Sequence, residues 1–416
     1  MDEMDEMDEN RKEIWMKPVT SSITAAQGFS TGAVHCGLRS NPEKKELALI
    51  VSSVPCTAAA VYTSNQVKAA PLYLNMKHLA NGKAQAITVN SGNANACAIN
   101  DAKNALLQAE AAAKKLNLDV EDVLVASTGV IGQELPIEKI VAGTDAIVLG
   151  QDPLESAHAI MTTDTKVKEY AVEFELDGKI VRLGGIAKGS GMIHPNMGTM
   201  LCFITTDAAI SSECLSQMLK ANVKKTFNRI SVDGDTSTND MCIVLANGLA
   251  GNTEITGEGT DYETFKMALK VVMEHLAIAI ASDGEGASRL ITVEVKNAAT
   301  EDQAETLAMS VASSSLLKAA VFGADANWGR VLCAMGYSKA EFDPALVDIY
   351  FASKNGEVLV CKAGKGIEFD EDKAARILEP DAIEIIADLH EGEKQATCWG
   401  CDLTYDYVKI NGDYRT

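Results

Sequence analysis

Histidine is scarce in this chain. The six present, His35, His78, His158, His194, His275 and His390, form no HExxH or other ligand spacing, so no metal site is expected. Positive charge is in deficit as well: 37 Lys and Arg stand against 58 Asp and Glu, a formal net charge of −21. Nucleic acid and anionic membrane surfaces both require a basic face, so neither is an expected partner. Long apolar runs are missing. A membrane helix needs about 18–20 apolar residues, and the longest candidate, 267–281, is broken by Lys270, Glu274 and His275. The first residues are acidic and lack the apolar core of a secretory signal, which predicts a cytoplasmic protein. No GxxxxGK[ST] phosphate loop and no GxSxG nucleophile elbow occur, so the chemistry those motifs carry is not expected.

Cysteine is present but unorganised. Ten are scattered through a chain of 416 residues, too long to need staples, and read as free core thiols. Cys398 and Cys401 form one CxxC, with no second pair for zinc, and are read as structural. With 47% hydrophobic and 23% charged residues, the composition is that of an ordinary globular protein large enough for two domains. The opening MDEMDEMDEN is a three-residue repeat carrying six of the acids and reads as a leader; without it the balance is about −15. Residues 1–17 are set aside on this ground, and two units are expected, 18–289 and 290–416. Pro and Gly do not cluster into a linker between them.

Elements follow from periodicity. Segments 46–52 and 58–63 are apolar strands separated by a turn-like Ser53-Val-Pro-Cys56, and 84–89 is another strand leading into the amide-rich 90–95. Asp101 is expected to cap a helix to Leu118, with Leu106, Ala109, Ala113 and Leu116 on its inner face. A strand at 123–126 ends in a Thr-Gly loop, Thr128-Gly129, and a helix at 154–161 precedes the hydroxyl cluster Thr162-Thr-Asp-Thr165. Segment 170–176 alternates Val172, Phe174 and Leu176 with Glu173 and Glu175, then turns at Asp177-Gly178, a strong hairpin signal. Later come a helix at 212–228, a strand at 241–246 and a long helix at 262–281. Beyond them lie a strand at 290–295, a helix at 304–320, a hairpin turning at Asn355-Gly356, and one or two strands from Ile383 onward. The stretch 233–240, DGDTSTND, superficially suggests a calcium loop but lacks the required Gly and terminal Glu.

The chemistry centres on 188–204, KGSGMIHPNMGTMLCFI. A Gly/Ser loop and a turn at His194-Pro195-Asn196 lead through Gly198-Thr199 into an apolar run that reads as a buried strand. A Thr opening a strand after a small residue is what a self-cleaving nucleophile requires. Its hydroxyl can attack the preceding carbonyl, and hydrolysis of the ester frees an α-amine with a pKa of about 7.7–8.0, which can serve as its general base. The spacing alone equally suits a plain loop end.

Residues 188–208, KGSGMIHPNMGTMLCFITTDA, closely resemble the processing segment of the ornithine acetyltransferase family of arginine biosynthesis. Further blocks match in order: NSGNANAC (90–97), STGVIG (127–132), MTTDT (161–165), SVDGDTSTND (231–240), SDGEGAS (282–288), GADANWGR (323–330) and the end CDLTYDYVKINGDYRT. The family has Ala before the nucleophilic Thr, where this chain has Gly198. The resemblance implies an α/β protein with a layered α/β/β/α core, plus the smaller C-terminal α+β unit read above. It implies cleavage between Gly198 and Thr199, and transfer of acetyl from N-acetyl-ornithine to glutamate through acetyl-Thr199. Thr128 and Gly129 would stabilise the oxyanion; Thr162, Lys188, Thr199, Glu285, Asn411 and Thr416 would contact substrate. No cofactor is implied, acetyl-CoA entering at most as a substrate, and two α and two β chains would assemble. Two other readings of the residues stay open, a self-processed aminopeptidase or amidohydrolase and an unprocessed amino-acid-binding protein.

Overall fold

The computed structural model describes residues 15–194 and 200–413. The calls on Gly198, Thr199 and Thr416 therefore lie outside the described residues, as do residues 1–14 of the leader expected at 1–17; Met16 and Lys17, set aside with it, instead pair as a strand with Phe174 and Glu173.

Among the described residues, the first of two sheets has nine strands. It holds β1 (Met16–Pro18), β2 (Phe29–Val34), β3 (Leu47–Tyr62), β4 (Lys83–Asn93), β5 (Val123–Val130), β6 (Lys168–Leu176), β7 (Lys179–Lys188) and β8 (Leu201–Thr206). After β9 (Ile230–Ser231), which belongs to the other sheet, comes β10 (Met241–Ala246). The order is β1-β6-β7-β8-β10-β3-β4-β5, with β2 added on β3.

The turn expected at Ser53-Val-Pro-Cys56 is not a turn. β3 runs unbroken for 16 residues, and its register against β4 shifts between Val51 and Cys56. Its first half pairs with β2 and β4, its second half with β10. Pro55 is tolerated because the ladder is interrupted there. The two ends of the sheet then face each other, and Ile50, Ile87 and Leu124 share one apolar cluster with Ile186, Phe203, Ile243 and Leu245.

Period-two alternation supplies the outer layers. Leu47, Leu49, Val123 and Val125 pack against α2 (Asp101–Leu116) and α3 (Ile137–Ala146). On the far side Phe174, Leu183, Ile204 and Val244 pack against α5 (Ser212–Lys225) and α6 (Thr260–Ser282). The result is the layered α/β/β/α core. Between α3 and α5 in sequence lies α4 (Pro153–Ala159), capped by the Asp152 carboxylate, which accepts from Leu154 N. On α6, Phe265, Leu269, Val272, Met273, Leu276 and Ile280 are fully buried, each worth about 1.5–3 kcal/mol of apolar transfer. The free edge of β5 is covered by α1 (Ala70–His78). Asn75 accepts from Val125 N and donates to Val125 O, both at 2.8 Å, and His78 Nδ1 lies 2.8 Å from Val123 O. An edge so satisfied cannot recruit another strand.

Two details of the helix at 101 differ from expectation. Asp101 is the first helical residue rather than the cap, and Leu106 is exposed while Asn104, Ala105, Gln108, Ala109 and Ala112 face inward. Alanines let α2 approach the sheet closely, so the small residues rather than the large one mark the buried face.

The second sheet has seven strands in the order β14-β13-β12-β15-β11-β16-β9. They are β11 (Leu290–Ala298), β12 (Asp348–Ser353), β13 (Gly356–Lys362), β14 (Lys365–Gly366), β15 (Ala382–Asp388) and β16 (Lys394–Cys401), together with β9. The helix expected at 304–320 is two, α7 (Glu301–Ala312) and α8 (Ser315–Phe322). The Ser314 hydroxyl accepts from Leu317 N and starts the second. After them come α9 (Trp328–Gly336) and α10 (Glu371–Ile377), and after β16 a helix the sequence did not announce, α11 (Tyr405–Asp413). Trp399 and Cys401 of β16 join the α6 cluster, which ties the two sheets together. All ten cysteines are free. Cys398 Sγ approaches Glu305 O at 3.9 Å and Cys401 Sγ approaches Lys318 Nζ at 3.6 Å, so this CxxC serves packing. Among the described residues no helix is long and apolar enough to cross a membrane.

Candidate active site

The strand β5 ends in the Thr128-Gly129 pair. β4 runs on past the expected end of its strand to Asn93, so that Ser91 stands beside Thr128 and Gly92 beside Gly129. Gly129 has φ +135°, and a Cβ there would collide with the Gly92 carbonyl and Asn93 N, so no other residue fits. A lattice of amides fixes this end of the sheet. Ser127 Oγ donates to Asn90 Oδ1 at 2.6 Å, and Asn239 Nδ2 donates to Ala94 O at 2.6 Å and Ser127 O at 2.9 Å. The amide-rich loop at 90–95 does its work here as support for Thr128.

Lys188 is the last residue of β7 and is buried. Its Nζ donates to Thr128 Oγ1 at 3.3 Å. An ammonium has only donors, so Thr128 Oγ1 must be the acceptor, which leaves its own O–H free to donate elsewhere. Burial pushes the Lys188 ammonium below its usual range, and the Asp164 carboxylate draws it back up.

Behind Lys188 lies an ion network that reading the sequence missed. Lys168 Nζ bridges Asp164 Oδ1 at 2.7 Å and Asp283 Oδ2 at 2.6 Å, and all three side chains are buried. Asp164 also accepts from Gly189 N at 2.7 Å and from Thr162 N at 3.0 Å. Asp283 accepts from Thr165 N at 3.0 Å, Lys166 N at 3.1 Å and the Thr165 hydroxyl. Burial alone would raise the Asp164 carboxyl, but the charges of Lys188 and Lys168 hold it well below the carboxylate range. One network thus sets both the Thr162 loop and the Lys188-Gly189 corner. Arg39 grips the same loop from outside, donating to Met161 O at 2.5 Å and Ser91 Oγ at 3.0 Å.

Glu285 closes the other side. Its N–H donates to Ser190 O at 2.9 Å, and its carboxylate accepts from Asn411 Nδ2 of α11 at 2.8 Å. A Cβ at Gly191 would collide with that carboxylate, so Gly191 keeps room for it. Thr128, Thr162, Lys188, Glu285 and Asn411 are therefore linked, directly or through Asp164 and the 188–191 corner. Asp233, Asp240 and Tyr407, which border the same corner, were not anticipated. Their signal was the blocks SVDGDTSTND (231–240) and CDLTYDYVKINGDYRT, matched as segments but given no site residue at these three positions.

A hydroxyl polarised by a buried ammonium can stabilise a developing oxyanion, and a carboxylate beside it can hold a cationic substrate. That is the equipment of an acyl-transferring enzyme. The comparisons with known proteins agree: the ArgJ family model matches residues 30–416, and the chain belongs to the ArgJ family. The arginine biosynthesis bifunctional protein ArgJ 1 of Clostridium acetobutylicum is 51% identical over 399 residues, 95% of this chain and 98% of its own length. ArgJ of Thermotoga neapolitana is 50% identical over 395 residues, 94% of this chain and 99% of its own. The crystal structure of ArgJ from Bacillus halodurans shares 46% identity, covers 50% of this chain and 97% of its own, and superposes with a TM-score of 0.48.

Proposed function

We propose that this chain is a glutamate N-acetyltransferase of arginine biosynthesis that moves acetyl from N-acetyl-ornithine to glutamate. The observation that carries the reading is the Lys188–Thr128 contact at the end of β7, seen in a chain half identical to ArgJ proteins over nearly its whole length. The chain first cleaves itself between Gly198 and Thr199. Thr199 Oγ then attacks the acetyl carbonyl of N-acetyl-ornithine and gives up its proton to the freed α-amine. The C–N bond breaks, and ornithine leaves having taken that proton on its nitrogen. The neutral amine of glutamate attacks the acetyl ester, the ester C–O bond breaks, and the proton lost from that nitrogen passes by way of the α-amine to Thr199 Oγ. Thr128 and Gly129 stabilise the oxyanion of both half-reactions. Thr162, Lys188, Glu285, Asn411 and Thr416 contact substrate, and the carboxylate of Glu285 faces the ornithine side-chain ammonium. Acetyl-CoA is a second donor, consistent with the word bifunctional in the names of the relatives. No cofactor or metal takes part, and the enzyme works in the cytoplasm as two α and two β chains.

The test is direct. Purified protein should contain a fragment whose first residue is Thr199. With N-acetyl-ornithine and no glutamate, that fragment should gain one acetyl group while ornithine is released. A fragment beginning elsewhere, or intersecting initial-rate lines without an acetylated fragment, would remove Thr199 as nucleophile.

Two further outcomes follow. Glu285→Gln should weaken use of N-acetyl-ornithine by about 2 kcal/mol relative to an uncharged N-acetyl donor, the low end for a charge partner because Glu285 is only half-buried. Equal losses for both donors would make Glu285 a support of the 190–191 corner. Activity should also fall as pH drops below about 7.7–8.0, since a protonated α-amine cannot accept the hydroxyl's proton. A flat profile from pH 9 to about 6 would exclude the amine as base.

A further inference from the structure

The loop between β9 and β10 touches the chain on both sides of the proposed cleavage point. Upstream, Asp233 Oδ2 accepts from Met192 N at 2.6 Å, and its Oδ1 accepts from Ile193 N at 2.9 Å. Val232 N donates to Ile193 O at 2.8 Å beside it. Met192 has φ +57°, a conformation that costs a non-glycine residue free energy and persists only where its surroundings enforce it. Downstream, Asp240 Oδ1 accepts from Met200 N at 2.9 Å, and Met241 N donates to Met200 O at 3.2 Å. Asp240 is fully buried, and the Thr63 and Ser237 hydroxyls act on its carboxyl besides the Met200 N–H. Both aspartates border the proposed substrate groups: Asp233 accepts from the Tyr407 hydroxyl at 3.3 Å, and the Asp240 carboxyl lies close enough to Lys188 for the two charges to act on each other.

We propose that Asp233 and Asp240 are positioning residues for chain cleavage, the first anchoring the backbone at Met192 and Ile193 and the second at Met200. One loop thereby fixes the chain before and after the bond that breaks. The proposal rests on the reading that cleavage falls between Gly198 and Thr199. It explains why a polar loop with no metal signature keeps an aspartate at each end. Burial pushes the Asp240 carboxyl above its usual range, while the Met200 N–H and the Lys188 charge draw it back down.

That chemistry gives the two sites opposite tolerances. Asp240→Asn keeps an oxygen to accept from Met200 N. Asp233→Asn has one oxygen where two are used, so it loses either the Met192 or the Ile193 contact. The experiment follows the intact 44.2 kDa chain over time after rapid purification of each full-length variant, with intact mass and N-terminal sequence of the fragments. Asp240→Ala and Asp233→Asn should cleave about 10- to 100-fold more slowly at the unchanged bond, the scale on which small misplacements act. Asp240→Asn should cleave within about twofold of the unsubstituted chain, a rescue that general destabilisation would not give. If Asp240→Ala does not fold, the ratio between the two Asn variants decides. Asp233→Asn cleaving as fast as the unsubstituted chain, or Asp240→Asn cleaving slowly, would overturn the proposal while leaving the cleavage reading intact. An unsubstituted chain that stays whole would overturn both.

Discussion

Thr128→Ala is expected to lower kcat by about 10²–10³-fold, or roughly 3–4 kcal/mol of barrier, with little change in KM. The asymmetry follows from where the hydroxyl points. Its oxygen is occupied by the Lys188 ammonium at 3.3 Å, so its hydrogen is free for an acceptor that gains charge only as the carbonyl is attacked. A ground-state carbonyl gains less from that donor than an oxyanion does, so the loss appears in kcat. The proposed self-cleavage would pass through the same kind of tetrahedral oxyanion and should slow in parallel. Lys188→Met should produce a loss of similar size by a different route. Without the ammonium, Thr128 can turn its O–H toward other acceptors, and a buried cation is withdrawn from the developing charge. Because the two groups act as one unit, the double variant should cost little more than the worse single variant. Steady-state kinetics on the four proteins decide it. Additive losses, or a Thr128→Ala effect confined to KM, would mean that Thr128 touches substrate in the ground state only.

How far this site was legible depended on which physical signal each residue carried. Thr128 and Gly129 could be placed at the end of a strand from the apolar run that precedes them, but their expected role came from the resemblance alone. The β6–β7 hairpin was announced by Asp177-Gly178, whose φ values of +48° and +69° are those of the turn that matches strand twist. The bend of β3 was mistaken for a turn because Pro55 and Ser53 interrupt an apolar run equally well in both cases. Only the pairing partner, β10 arriving from nearly 200 residues away, separates them. The split between α7 and α8 was hidden by Ala and Leu on both sides of Ser313-Ser314. The helix α11 carries no buried side chain, so it offers no apolar stripe to read, and it is held by polar contacts of Thr404, Tyr407 and Asn411 instead.

Lys168 is the instructive omission. It shares strand parity with Tyr170, Val172, Phe174 and Leu176, so alternation places it on the inward face, yet a lysine beginning a strand reads as a solvated end. Its partners, Asp164 and Asp283, lie in two separate loops, and each alone reads as a cap or an acidic turn. Buried charge is legible in sequence only once the opposite charge is placed beside it, and that placement is tertiary.

Lys168→Met should destabilise the protein by about 3–5 kcal/mol, the cost of removing one partner from a buried ion pair. Met matches the volume of the lysine stem, so no cavity term is added. The damage is electrostatic: Asp164 and Asp283, both buried, would face each other without the cation between them. Each keeps its backbone N–H donors, Gly189 and Thr162 for one and Thr165 and Lys166 for the other, which is why the variant should still fold. Adding Asp283→Asn should recover part of the loss, because Asp283 is the carboxylate that loses its cation, whereas Asp164 keeps the charge of Lys188. The same network fixes an acid limit. Asp164 is held below its ordinary value of 3.8, so its contribution is complete above that pH and is lost as pH falls below it toward the lower folded value. The unsubstituted protein should therefore lose stability in acid from about pH 4 downward, and Lys168→Met should lose less over the same interval, because a main cause of the depression has been removed. Urea unfolding at pH 7 and pH 3 for the three proteins measures both effects. If Lys168→Met unfolds within about 1 kcal/mol of the unsubstituted chain at pH 7, the network carries little stability, and Lys188 is positioned by its strand alone.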